Sequence, residues 1–257
     1  MRSVLNGFLT AVSAYSPLPV PGEKKSRETM PYMLCFLPVI GAVIGFIMGI
    51  YALYCIDHGV SPAGFALAGA ALPVLLSRGA HLSGFMKTWD ALASDKKQPA
   101  GRIERLEDDR AGVSSVIAAI VYFLLYAGGL TLLRKEEQLF FLGTGYMISR
   151  TLFGMAFVWF PCVGKDRMLM AELPGAQKQN VRITLSVILA LCFCTCIAIA
   201  PIMGVLMALL CMWIWTYYFY MSKKRFGGIT EETAGYFLTL CELAVVLFIA
   251  IFAKTGM

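Results

Sequence analysis

The chain has 257 residues, 58% of them hydrophobic and only 15% charged, with a mean hydropathy of +0.71. That excludes an ordinary soluble domain, which is roughly 45–50% apolar and about 25% charged. The net charge of +6 does not indicate a nucleic-acid partner, because the basic residues sit in loops between apolar runs.

In chain order, Met1–Val20 reads as an interfacial or re-entrant helix ended by Pro17-Leu18-Pro19-Val20-Pro21. Met1–Pro21 lacks the clean apolar stretch and small-residue cleavage site of a secretory signal. A bilayer core takes roughly 17–25 apolar residues as helix. Seven segments meet that: Leu34–Ile56, Val60–Leu76, Val113–Leu133, Leu139–Phe160, Ile183–Ala200, Ile202–Met221 and Ala234–Ala253. The fold class expected is all-α, a polytopic transmembrane bundle of about seven spans forming a single integral membrane domain over residues 1–257.

The first span carries Gly41, Gly45 and Gly49, a small-residue ladder that predicts close helix packing. The sixth ends in Trp213, Trp215, Tyr217, Tyr218 and Tyr220. These read as an aromatic belt at the membrane interface, with a base-stacking platform as the alternative. Most of the eight cysteines fall inside apolar runs and read as small hydrophobes. Cys192, Cys194 and Cys196 alternate, which spreads them around a helix rather than gathering them on a metal.

The loops differ in basic content. Met1–Met33, Ser77–Gly112, Pro161–Arg182 and Ser222–Thr233 hold 18 of the 22 Lys and Arg residues, the opposite loops and the tail hold 3, and Arg150 lies inside a span. The positive-inside rule then puts the N-terminus and the long loops in the cytoplasm and the C-terminus outside.

Arg150 is the sharpest anomaly, since a charge within a span needs a partner or a wet cavity. It reads either as a structural ion pair or as an anion clamp, because Arg suits phosphate bidentately. In the loop 77–112, Ser83, Lys87 and Asp90 stand at i, i+4 and i+7 on one helix face. Three carboxylates there would make a magnesium site, but only Asp90 is acidic. His81 precedes them, either as a hydrogen-bonded structural residue or as a group that orients substrate or accepts a proton. Arg105-Leu106-Glu107-Asp108-Asp109-Arg110 is either a solvated face or part of a site. Gly227-Gly228-Ile229-Thr230-Glu231-Glu232 opens a helix with a pattern suited to phosphate or metal.

Together these motifs resemble the cobalamin synthase family, the membrane adenosylcobinamide-GDP ribazoletransferases. The resemblance starts at Phe8-Leu9-Thr10 with Pro17-Leu18-Pro19 and continues through Tyr32 to Gly41. It takes in His81-Leu82, Gly84-Phe85-Met86, Asp90-Ala91-Leu92, Leu106 with Asp108, and Ser149-Arg150. It ends with Phe226 to Thr230, Ala234-Gly235 and Leu240-Cys241-Glu242-Leu243. The family pattern H-[LM]-D-G-x-x-D-x-x-D-[AG] meets Ser83 and Lys87 where two aspartates stand. Its K-D meets Glu107-Asp108, and its G-G-x-T-G-D meets Glu231-Glu232 at the end.

The resemblance implies transfer of adenosylcobinamide phosphate from its GDP-activated form to α-ribazole or its 5′-phosphate, with GMP leaving. It implies a magnesium ion held by Asp90, Asp108 and Glu232. His81, Asp90 and Asp108 would be catalytic, and Arg110, Arg150, Gly227, Gly228 and Thr230 would bind phosphate. The site would lie in loops 77–112, 161–182 and 222–233, with His81, Asp90, Asp108, Arg150 and Glu232 around one polar cavity near the cytoplasmic surface. Membrane lipid, other cobalamin-assembly enzymes and a bacterial or archaeal inner membrane are the expected surroundings. An inactive homologue that binds corrinoid or acts as a scaffold is the alternative, motivated by positions 83, 87, 231 and 232. A transporter explains the motif cluster poorly, and the D-x-x-D-G-x-x-A-R motif of the CDP-alcohol phosphotransferases is absent.

Overall fold

The structure is a computed structural model that describes residues 2–15, 29–133, 135–164 and 174–255. The proline stretch at 17–21, both terminal methionines, Arg134 and most of the 161–182 loop's middle lie outside the described residues.

Among the described residues the chain is helical throughout. The helices are α1 (Arg2–Tyr15), α2 (Met30–Asp57), α3 (Pro62–Leu76), α4 (Ala80–Ala93) and α5 (Pro99–Glu107). They continue as α6 (Val113–Leu130), α7 (Glu136–Trp159), α8 (Gly175–Ile199), α9 (Pro201–Phe226) and α10 (Glu231–Thr255). Helices lay down every internal backbone hydrogen bond within one segment, which is what a bilayer interior demands. Large apolar residues such as Phe46 (70% exposed) and Leu67 (71%) cover the outer surface, where lipid replaces a second layer of protein.

Five of these helices, α2, α6, α8, α9 and α10, are long and apolar enough to cross a membrane, and α3 with α4 makes a sixth if the bent pair is counted as one. Two of the seven expected segments fall outside that set. The Val60–Leu76 span is the 15-residue α3, about 22 Å long at 1.5 Å per residue, capped by Ser61 through its Oγ and the Gly64 N–H (3.1 Å). It turns by 89° into α4, with Arg78 (φ 53°) and Gly79 (φ 70°) in left-handed backbone at the corner. The Leu139–Phe160 span is α7, long enough at 24 residues but more polar than the rest. Thr144, Ser149, Arg150 and Thr151 are buried along it. A helix surrounded by other helices does not need to be apolar toward lipid.

The glycine ladder packs α2 on α7. A Cβ on Gly41 would lie 2.4 Å from the Tyr146 carbonyl oxygen, and one on Gly45 would lie 2.7 Å from the Gly143 Cα. Gly49 has open space around it and takes no part. At the end of α9, Trp213, Tyr217 and Tyr220 face outward, as an interfacial belt requires. Trp215 and Tyr218 turn inward, donating to the Leu152 carbonyl (3.1 Å) and pairing with the Thr233 hydroxyl (3.1 Å). All eight cysteines are free thiols; Cys192 and Cys196 are buried, and Cys194 is exposed on another face of α8.

Candidate functional site

The loop expected over 77–112 is largely helical, and its helix α4 forms the spine of the site. Small residues let α4 and α10 touch backbone to backbone. A Cβ on Gly84 would meet the Glu232 carbonyl oxygen at 2.7 Å, and one on Gly235 would meet the His81 carbonyl oxygen at 3.2 Å. Thr230 caps α10. The Thr233 backbone N–H donates to the Thr230 Oγ1 (3.3 Å), while the Thr230 backbone N–H donates to the Thr233 Oγ1 (2.9 Å). That reciprocal cap satisfies donors at the helix start.

The two glycines before it also have local tasks. Gly227 (φ 79°) ends α9 in the left-handed conformation, its N–H donating to the Lys223 carbonyl (3.2 Å). Gly228 lies so close to Pro161 that a Cβ would stand 2.4 Å from its carbonyl oxygen. There the 161–164 and 227–230 segments bond to each other. The Val163 N–H donates to the Ile229 carbonyl (2.9 Å), and the Ile229 N–H donates to the Pro161 carbonyl (2.8 Å). Gly228 thus makes its close approach to the protein's own chain, and Gly227 serves the helix end.

Asp90 is buried at the far end of α4, about 9 Å along the helix from Gly84. Its carboxylate accepts from the Gly112 N–H (2.7 Å), the Ser115 N–H (3.2 Å), the Ser115 hydroxyl (2.8 Å) and Arg105 Nη2 (3.4 Å). It caps α6, whose own N-cap residue, Gly112, has no side chain for the task. Arg105 also reaches Asp108 (3.2 Å), and Asp108 holds Arg110 through Nε and Nη2 (both 3.1 Å). The Arg110 side-chain and backbone hydrogen bonds hold the Asp108 carboxyl at a pKa of about 2, below its ordinary 3.8. Lys87 pairs with Asp109, itself 91% exposed.

Arg150 lies deeper. It is 2% exposed and its Nη1 is paired with Glu242 Oε1 (2.5 Å), with further bonds to the Tyr146 carbonyl (3.2 Å) and Ser149 Oγ (3.5 Å). Of the two readings of Arg150, the structure shows the ion pair: a carboxylate of α10 holds one arm of the guanidinium. Beside the pair is a small polar cavity of about 10 Å³, room for about one water molecule and far too small for a nucleotide, lined by Ser77, His81, Tyr122, Thr239, Arg150 and Glu242 among others. His81 is thus close to Arg150 but buried, with its ring edge-on to Phe153 (5.7 Å).

The expected site residues are strung out along α4 rather than gathered around one cavity. Arg150 and His81 line one small cavity at the start of α4, Glu232 lies across from Gly84, and Asp90, Arg105, Asp108 and Arg110 form a chain at the other end. Magnesium held by Asp90, Asp108 and Glu232 does not fit this arrangement. Both oxygens of Asp90 accept protein hydrogens, and Asp108 is bound to two arginines. No group of three or more metal-ligating His, Cys, Asp or Glu occurs among the described residues.

The family model for cobalamin-5-phosphate synthase matches residues 7–250. The chain belongs to the cobalamin-5-phosphate synthase family. It is 33% identical over 253 residues to the adenosylcobinamide-GDP ribazoletransferase of Lachnoclostridium phytofermentans, covering 96% of this chain and 94% of that one. The protein of the same name from Clostridium perfringens strain SM101 is 26% identical, over 98% of this chain and all of its own. That from Pseudomonas fluorescens is 28% identical, over 95% of this chain and 99% of its own. No solved structure matches. These family relatives are bacterial, and the apolar helices make this member a multi-pass membrane protein.

The fold shows the work of two further residues. Glu242 stands in Leu240-Cys241-Glu242-Leu243, and a lone acid at mid-span was the available signal for a partner to Arg150. Arg105 joins Asp90 to Asp108; in sequence it was one base in a mixed-charge run.

Proposed function

We propose that this chain transfers adenosylcobinamide phosphate from adenosylcobinamide-GDP to α-ribazole or α-ribazole 5′-phosphate, releasing GMP, as a late step of cobalamin assembly. The observation that carries the reading is the family match over residues 7–250, with relatives of that name aligned along nearly their whole lengths. That continuity favours a working transferase over an inactive corrinoid-binding or scaffold homologue.

The ribazole hydroxyl attacks the phosphorus joined to cobinamide. A new P–O bond forms to ribazole, the P–O bond to the bridging oxygen breaks, and GMP leaves with that oxygen while the hydroxyl proton passes to a base. Such a reaction asks the protein for positioning and charge neutralisation. Arg110, at the rim and 90% exposed, offers its guanidinium to phosphate oxygens while Asp108 steadies it. Lys87 is the second cation, since its pair with exposed Asp109 is of the weak surface kind that a phosphate displaces. Asp90 and Asp108 are committed to protein donors, so any magnesium the reaction uses would supply charge neutralisation without being held by them. Purified protein in lipid vesicles, given adenosylcobinamide-GDP, α-ribazole and magnesium, should release GMP only when ribazole is present. GMP release that ignores ribazole, or none at all, refutes the transfer.

The proposal includes the inner membrane, with the N-terminus and the α4 loops in the cytoplasm, and association there with other cobalamin-assembly enzymes. The orientation rests on the 18-to-3 split of basic residues. Impermeant thiol labelling of intact cells should reach a cysteine placed at Met257 but not one at Met1. Labelling of both from outside overturns the orientation.

A further inference from the structure

The Arg150–Glu242 pair stands apart from everything the transfer chemistry uses. Its two side chains are 2% and 5% exposed, on α7 and α10, within the bundle. A buried ion pair is a poor source of stability, because desolvation offsets the attraction and apolar residues of similar volume often do as well. What the pair does have is position. The polar cavity next to it is lined by Ser77 at the α3–α4 corner, His81 on α4, Tyr122 on α6 and Thr239 on α10. Arg150 Nε opens on no protein acceptor, although it is buried. One turn before Glu242, the Thr239 hydroxyl lies 3.3 Å from the His81 carbonyl oxygen and 3.0 Å from that of Gly235. The pair, Thr239 and His81 therefore form one polar joint where α7, α10 and the start of α4 meet.

We propose that Arg150 and Glu242 are positioning residues: their pairing fixes the register of α10 against α7, and through Thr239 and His81 it seats α4, which carries the outer site. The proposal rests on the transferase reading for its effect on rate, but not for its effect on α4. A register error in α10 moves the Glu232 carbonyl against Gly84, where the backbones are in contact, so α4 shifts with it. Displacement of about 1 Å at a reacting centre is enough to cost about a hundredfold in rate.

The test is the double variant Arg150→Met/Glu242→Met in lipid vesicles, read by thermal stability, steady-state kinetics and hydrogen–deuterium exchange of residues 82–93. Expected is stability no lower than wild type, kcat reduced tenfold or more with little change in KM, and faster exchange in α4 while α2 is unaffected. Thr239→Val, which removes only the hydroxyl, should loosen α4 in the same direction and guards against a double variant that fails to fold. Arg150→Lys with Glu242 intact should recover part of kcat relative to Arg150→Met. Wild-type kcat and wild-type α4 exchange in the double variant overturn the proposal. So does a rise in KM alone, which would make Arg150 a substrate ligand. Faster α4 exchange in the double variant, together with no transfer by the wild type, supports the positioning role and removes the transferase reading instead.

Discussion

Asp90→Ala is expected to destabilise the protein by about 3–5 kcal/mol, the range for removing one partner of a buried charged network. The loss takes the acceptor from the Gly112 and Ser115 N–H groups, while the Ser115 hydroxyl keeps the Gly112 carbonyl and Arg105 keeps the Arg110 carbonyl. It also removes the negative charge from the N-terminus of α6, where the helix dipole favours one. Asp90→Asn keeps an accepting oxygen and should lose about half as much. Reversible unfolding in mixed detergent micelles measures both. A loss below about 1 kcal/mol for Asp90→Ala, joined to a weakened magnesium requirement, would instead free Asp90 for the metal role that the family resemblance implied.

Gly84→Val should remove transfer, with a loss of activity of about a hundredfold or more. The added Cβ would stand 2.7 Å from the Glu232 carbonyl oxygen and 3.2 Å from its Cα, and backbone at the start of α10 cannot step aside as a side chain can. Overpacking of this kind costs typically about 1–3 kcal/mol, so the fold should survive with α4 displaced. Gly128→Ala on α6 is the control, since nothing lies within 4 Å of that position and alanine is the better helix former. Kinetics of the two variants at matched expression check the contrast. Equal activity would mean that the α4–α10 contact does not set the site.

The helices were legible in the sequence wherever apolar runs were long, and the ends were not. Helix α8 begins at Gly175 rather than Ile183, because Gln177, Lys178 and Asn180 extend it beyond the apolar run. Helices α4 and α5 were hidden in what hydropathy showed only as a loop, although the i, i+4, i+7 face of Ser83, Lys87 and Asp90 already required a helix there. The α2–α7 packing was readable from Gly41 and Gly45. Gly49 obeys the same spacing but meets nothing, since a spacing rule does not say where the partner helix diverges. At the site, residue type suggested chemistry where the fold shows architecture. Asp90 and Thr230 are helix caps, and Gly227 and Gly228 shape a turn against Pro161. The Arg150–Glu242 pair spans 92 residues of sequence, and no local pattern joins two positions so far apart.

The most direct measurement follows the phosphorus. Adenosylcobinamide-GDP labelled in the phosphate joined to cobinamide is incubated with the purified protein and α-ribazole, and the label is located by separating corrinoid from nucleotide. Attack at that phosphorus predicts label in the ribazole-bearing corrinoid and unlabelled GMP. Label in the nucleotide fraction, or a corrinoid that gains no ribazole, contradicts the account.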